Sequence, residues 1–248
     1  MSEITFKRKF YDEMLEWKMN SNGKSALMID GARRVGKSTI AEEFAKNEYD
    51  DYLLIDFVNA SKDIKDNFDN LGNMDVFFRN LFLFAGKGLK SSNSVIIFDE
   101  VQKFPRAREA IKYLVKDGRY HYIETGSLIS IKKKSQEIVI PSEEDKRKMY
   151  PMDFEEFLWA TGDNVTAPFI KDCFEKRIPM GDKLHRKIMT TFRTYFAIGG
   201  MPQVIEAFVQ GKNYQEIDMI KRNILSLYEE DLAKYDDENH EKATAIFK

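Results

Sequence analysis

The sequence predicts an α/β fold, a parallel sheet covered by helices, followed by a smaller all-helical region. Three observations predict it. Short apolar runs of strand length alternate with amphipathic, helix-length stretches as far as about residue 150. The first of these runs, Ala26-Leu27-Met28-Ile29, enters a glycine-bounded loop and then a helical stretch. From Met152 onward the pattern is helical, punctuated by Ala160-Thr161-Gly162, Gly199-Gly200 and Pro202.

The first run carries the chemistry. Gly31-Ala32-Arg33-Arg34-Val35-Gly36-Lys37-Ser38 has the spacing G-x-x-x-x-G-K-[ST] of a phosphate-binding loop. Gly31 and Gly36 let the backbone adopt unusual dihedrals and approach a ligand closely. The N–H groups of the loop then converge as an anion cradle. Ser38, Thr39 and IAEEFAK open a helix whose N-terminus adds partial positive charge. In this pattern Lys37 neutralises the β- and γ-phosphates and the Ser38 hydroxyl holds magnesium. The alternative is a tight strand-to-helix turn that merely contains Gly and Lys.

The remaining elements follow in order. Residues 6–20 read as an amphipathic helix with Phe10, Met14, Leu15 and Trp17 near one face, ended by Ser21-Asn22-Gly23. Tyr52 to Phe57 is a second strand, and Asp56 reads as a strand-end carboxylate. Ser61 to Gly72 is loop or short helix, and Val76 to Phe84 is the centre of an apolar helix. Ser94-Val95-Ile96-Ile97-Phe98 is a third strand that delivers Asp99 and Glu100 to its carboxyl end, where a parallel sheet gathers functional groups. An acid there binds magnesium directly or through its water, and its neighbour orients and deprotonates an attacking water. Pro105 to Lys116 is a helix with proline in its first turn, closed by Gly118. Tyr120 to Thr125 is a fourth strand ending in Thr125-Gly126-Ser127. These hydroxyls either reach a γ-phosphate or water, or simply form a turn. Glu137 to Ile140 reads as a short strand, and Pro141 to Lys148 as a polar linker or exposed turn. Lys132-Lys133-Lys134 reads as a solvated loop rather than a nucleic-acid patch. Helices follow at about 165–177, 182–197, 202–210 and 214–234.

Composition narrows the class. The 248 residues are 43% hydrophobic and 32% charged, as expected for a globular protein. A net charge of −2 nominates neither nucleic acid nor membrane. No apolar run approaches bilayer-spanning length, and MSEITFKRKFYDE lacks the apolar segment of a signal peptide. The single Cys173 excludes an internal disulfide and fits a cytoplasmic setting. Beside Phe169, Ile170 and Phe174 it reads as a small core residue. The scattered histidines leave no zinc site.

On GARRVGKST, on Asp99-Glu100 in SVIIFDEVQ and on YIETGS, the first part resembles an AAA-type P-loop ATPase with an extra strand between the phosphate-loop strand and the acidic strand. More narrowly, YPMDFEEFLWA (Tyr150 to Ala160) and IGGMPQVI (Ile198 to Ile205) make the chain similar to bacterial and archaeal ATPases that carry a C-terminal domain of unknown function. The resemblance implies a P-loop NTPase sheet of strand order 5-1-4-3-2. It implies ATP held by the loop from Gly31 to Thr39, with Lys37 and Ser38 on phosphate and magnesium. It further implies Asp99 on magnesium, Glu100 as water activator and Thr125 or Ser127 as phosphate sensor. An arginine comes from late in the fold or from a neighbouring subunit of a homo-oligomer. Arg147 is the candidate on this chain, with a surface charge as the alternative. The expected division is a P-loop domain with its N-terminal helix over 1–150, a helical lid-like domain over 151–235, and the start of a further C-terminal region over 236–248. Through that region the family implies a protein or nucleic-acid partner.

The leading functional expectation is magnesium-dependent ATP hydrolysis driving a conformational change. The alternative is a nucleotide-dependent binding module with little turnover. A small-molecule kinase would need an acceptor-binding lid, which nothing here resembles. A GTPase would need an N-K-x-D motif, which is absent from the sequence.

Overall fold

Five strands, β1 (Ala26–Gly31), β2 (Asp51–Asp56), β3 (Ser94–Asp99), β4 (His121–Ser127) and β5 (Glu144–Met149), form one sheet in the order β2-β3-β4-β1-β5. Every pairing is parallel. This is the expected 5-1-4-3-2 order read from the opposite edge. The computed structural model describes residues 5–90, 93–127 and 141–235, with side chains as far as residue 231. They divide into two units, Phe10–Met149 and residues 5–9 with Tyr150–Ala233.

In the first unit, β1 and β3 are buried along their whole length, which is why they read as unbroken apolar runs. Side chains alternate across the sheet. Met28, Ile96, Phe98 and Tyr122 face α3 (Lys62–Asp66), α4 (Met74–Ala85) and α5 (Pro105–Asp117) in the larger core. Phe57, Phe68, Phe77, Phe98 and Phe104 meet there edge to face or tilted, with ring centroids 5.2–5.9 Å apart. Elsewhere in the unit, Trp17 of α1 (Phe10–Ser21), Phe44 of α2 (Lys37–Glu48) and Tyr49, which follows α2, form an aromatic group with His121. Asn73 caps α4 by accepting the Val76 N–H, and Gly86 ends it in the left-handed region.

Two sequence expectations are corrected. The helix predicted from residue 6 starts at Phe10. The Lys9 N–H instead donates to Glu156 Oε1 at 2.7 Å, and Arg8 donates to the same carboxylate and to the Tyr150 carbonyl. The polar stretch expected as a linker or exposed turn over 141–148 holds all of β5 but its last residue, Met149. Its six residues, EDKRKM, have no apolar alternation to announce a strand. Backbone pairing with β1 holds them, in register from Ala26↔Glu144 to Gly31↔Met149. Ion pairs take the place of apolar packing: Arg108 with Glu144, Lys146 with Asp30 and Arg147 with Glu16. The strand expected over Glu137–Ile140 and the Lys132–Lys134 run lie outside the described residues.

The second unit is helical: α6 (Phe154–Ala160), α7 (Thr166–Lys176), α8 (Asp182–Ile198), α9 (Pro202–Val209) and α10 (Tyr214–Tyr235). Asp153 and Glu156 form a reciprocal capping box at the start of α6. Met152, Phe157, Ile198, Val204, Ile205 and Ile217 make its core, and Cys173 is buried as expected. The two family-like segments meet here: Met152 N–H donates to the Gly200 carbonyl at 2.7 Å. A Cβ on Gly200 would lie 2.1 Å from the Met152 carbonyl oxygen, so only glycine fits. No helix among the described residues is long and apolar enough to cross a membrane.

Between the sheet and α5 lies a polar group with an unusual member. Arg108 grips Glu144 with two bonds, 2.9 and 2.7 Å, both side chains almost wholly buried. Glu124 is fully buried beside them, and among the described residues neither of its carboxylate oxygens has a hydrogen-bond partner. Burial first, then the Glu144 charge, push its pKa well above the ordinary carboxylate value, against the pull of Arg108. The folded protein therefore keeps a proton that the unfolded chain has released above the usual carboxylate range. That contribution to stability is complete at low pH and is lost as pH rises toward the raised folded pKa. Glu124→Gln should flatten this decline, seen as a smaller fall in Tm between about pH 5 and about pH 8 than in the parent. Arg108→Leu should strand the Glu144 charge and cost about 3–5 kcal/mol in chemical denaturation.

Candidate functional site

The carboxyl ends of β1, β3 and β4 carry one connected cluster. Gly31 ends β1, and Gly36, at φ 95° and ψ 24°, caps α2 in a conformation that favours glycine. A Cβ on Gly31 would fall 2.4 Å from the Met149 carbonyl oxygen, so the loop can leave the strand here only without a side chain. Arg34 also takes a left-handed φ, 69°, and is exposed. Val35 is fully buried and anchors the loop, while Ala32 and Arg33 are half-buried and Thr39 is exposed.

Lys37 is only 5% exposed, and its ammonium donates to the Ala32 and Gly31 carbonyls at 2.9 and 3.2 Å. Burial lowers its pKa, while Glu100, Asp30 and Asp99 oppose that effect. The cluster therefore holds a buried cation whose charge Glu100, Asp30 and Asp99 favour. The Ser38 hydroxyl donates to Asp99 Oδ1 at 2.7 Å. The Thr125 hydroxyl donates to the same oxygen, and itself accepts the Glu100 N–H at 3.2 Å. Glu100 sits in the left-handed region, φ 56° and ψ 45°, which turns its side chain out of the course of β3. Such a conformation costs about 1–3 kcal/mol in a non-glycine residue and persists where surroundings enforce it.

The structure thus brings together Gly31, Gly36, Lys37, Ser38, Asp99, Glu100 and Thr125. Ser127 ends β4 in register with Gly31, on the same strand face as Thr125, but bonds none of the cluster. Arg147 is not brought to it. Its guanidinium donates to the Glu13 carbonyl at 2.7 Å and pairs with Glu16 and Asp145, which fastens β5 to α1. Asp56 closes the turn after β2, accepting the Val58 N–H and the Asn59 amide. Sequence reasoning missed Gln102, whose amide donates to Glu100 Oε2. It also missed Asp30, buried one residue before the loop and paired with Lys146 at 2.8 Å. Gln102 stood in the DEVQ string as a family mark, but only the short helical turn after β3 folds its amide back. Among the described residues no three His, Cys, Asp or Glu side chains are grouped to hold a metal alone. Ser38 and Asp99 offer two hard oxygens, which suits a magnesium ion completed by phosphate and water.

Proteins that set a phosphate loop and an acidic strand end on one rim of such a sheet are P-loop nucleotide-binding proteins, and this chain has that fold. Its family follows from direct comparison. Residues 23–158, more than half of the chain, match the AAA domain, and the chain belongs to that family. Residues 189–248 match a domain of unknown function, DUF8612. Among solved structures it is similar to a signal-transduction ATPase with numerous domains and a tetratricopeptide-repeat sensor from Pyrococcus horikoshii, at 14% identity and a TM-score of 0.47. That match covers 88% of this chain but only 33% of the other. No curated protein matches the sequence closely enough to count as a relative.

Gly31→Ala should drive the loop off the Met149 carbonyl. A lower Tm, with nucleotide affinity reduced at least about tenfold in calorimetric titration, is the expected outcome. Unchanged binding would show that the loop tolerates the displacement.

Proposed function

We propose that this chain binds ATP with magnesium and hydrolyses it, and that hydrolysis drives a conformational change. The carrying observation is the continuous hydrogen-bonded chain Ser38–Asp99–Thr125–Glu100, with the buried Lys37 ammonium held on the phosphate-loop carbonyls of Gly31 and Ala32. Lys37 releases its carbonyl partners and takes the phosphate charge, and the α2 N-terminus adds its own partial charge. Ser38 and Asp99 would hold magnesium, which would neutralise developing charge on the phosphates when bound. Thr125 senses the terminal phosphate, because its hydroxyl links Asp99 to the Glu100 backbone. Glu100 accepts the proton of the attacking water. Positioning and electrostatics do most of the work in this chemistry.

Coupling to motion is supported by the chain path. Gly31 lies against Met149, the residue immediately before the helical unit begins at Tyr150. A shift of the loop on phosphate binding therefore acts on backbone one residue from the crossing. A second reading, a nucleotide-ordered module with slow turnover, is favoured by Arg147, which is committed to α1 rather than to the loop. In that case turnover stays low unless a neighbouring subunit supplies the arginine. Partners, oligomeric state and a cytoplasmic location belong to this reading as expectations.

Lys37→Ala should abolish nucleotide binding. Glu100→Gln should keep affinity while lowering turnover by about 100-fold or more. The checks are calorimetric titration of ATP, ADP and GTP with and without magnesium, then phosphate release on the same samples. Wild-type turnover in Glu100→Gln would remove the base assignment, and tight binding with negligible release in the parent would favour the second reading.

A further inference from the structure

Glu100 is held at three points, and only two of them involve backbone. Its N–H donates to the Thr125 hydroxyl at 3.2 Å, and its carbonyl accepts the Lys103 N–H at 2.9 Å. The third point is its carboxylate, where Oε2 accepts a hydrogen bond from the Gln102 amide. Gln102 lies in a one-turn 3-10 helix, Val101–Lys103, and is itself 7% exposed. Val101 plugs that turn into the larger core, and the Phe104 N–H closes back onto the Val101 carbonyl at 3.0 Å. The amide donor therefore sits on a rigid support. Oε1 of Glu100, by contrast, carries no hydrogen bond among the described residues.

A catalytic base works best when a third group orients it, leaving the reacting atom open. Here one oxygen of the carboxylate is tied and the other is presented. We propose that Gln102 is a positioning residue for Glu100. Its amide fixes Oε2, and so aims Oε1 at the water that attacks the nucleotide. This rests on the ATPase reading above. The left-handed backbone of Glu100 makes such an anchor necessary, because that backbone turn sets the direction of the side chain without fixing its outer torsions. Gln102 touches neither phosphate nor metal in this role, so it acts on the rate and not on affinity.

Two variants separate the role from simple folding. Gln102→Met keeps the length and packing but removes the donor, and Gln102→Glu replaces the donor with a like charge. Turnover at saturating magnesium-ATP should fall about 10- to 100-fold in Gln102→Met and at least as far in Gln102→Glu. KM, the Kd for ATP and Tm should stay within about twofold, or a few degrees, of the parent. In a double-mutant cycle, Gln102→Met should add nothing to Glu100→Gln, since both act through one carboxylate. A readout independent of turnover is the NMR signal of the Gln102 side-chain amide, identified by its loss in Gln102→Met. It should be shifted and exchange-protected in the parent, and both features should vanish in Glu100→Ala.

Parent-like turnover in Gln102→Met overturns the inference. So does a loss that falls equally on KM and kcat with a lowered Tm, an additive loss in the Glu100→Gln background, or an amide signal indifferent to Glu100→Ala. If instead Glu100→Gln alone turns over at the parent rate, the base assignment has failed first, and Glu100→Gln measured by itself distinguishes that outcome.

Discussion

A single oxygen atom, Oδ1 of Asp99, accepts hydrogen bonds from both Ser38 at the start of α2 and Thr125 on β4. Three elements distant in sequence therefore converge on one acceptor. Chain order would leave β1 and β3 as neighbours once β2 moved to the edge. The sheet instead inserts β4 between them, pairing Leu27 with Ile123 on one side and Val95 with His121 on the other. Since all the strands run the same way, the Asp99 carboxylate, the Thr125 hydroxyl and the mouth of the phosphate loop end on one rim. Reversing any of these strands would send its contribution to the opposite edge of the sheet.

Charge is segregated by the same alternation of side chains. Asp99 and Thr125 belong to the cluster beside α2, whereas Glu124 belongs to the polar group that Arg108 brings from α5. One residue along β4 thus separates a hydroxyl that serves the cluster from a buried acid that serves none of it. Arg108 commits Nε and Nη2 to Glu144, and among the described residues no donor reaches either oxygen of Glu124. Retaining its proton is the least costly state for that acid.

The helical unit is organised around Glu156. Its carboxylate accepts from Arg8, from the Lys9 backbone and from the Asp153 backbone, at 3.1, 2.7 and 3.0 Å. Arg8 also reaches the Tyr150 carbonyl at 2.6 Å. The chain segment ending at Lys9 is therefore tied to Glu156, and the one beginning at Tyr150 is tied to Arg8, which Glu156 itself holds. Met152 and Gly200 fix the other side of α6 by backbone contact.

The sequence by itself determined the strands that bury apolar runs, the helices that present an amphipathic face, and the loop whose glycines and lysine occur at fixed spacing. These features are local: period, burial and backbone freedom are written within a few residues of one another. Tertiary structure decided the rest. EDKRKM becomes β5 because β1 offers an open edge and because Arg108, Asp30 and Glu16 neutralise its charges, all from elsewhere in the chain. Residues 6–9 leave the expected helix, with Arg8 and the Lys9 N–H bonded to Glu156 from 148 and 147 residues away. Arg147, which has the right chemistry for a phosphate, is taken up by α1. Gln102, which has no charge to draw attention, is folded onto the carboxylate of Glu100. A polar side chain has no intrinsic destination. Its role depends on which partner the fold brings within about 3 Å, and no local pattern encodes that distance.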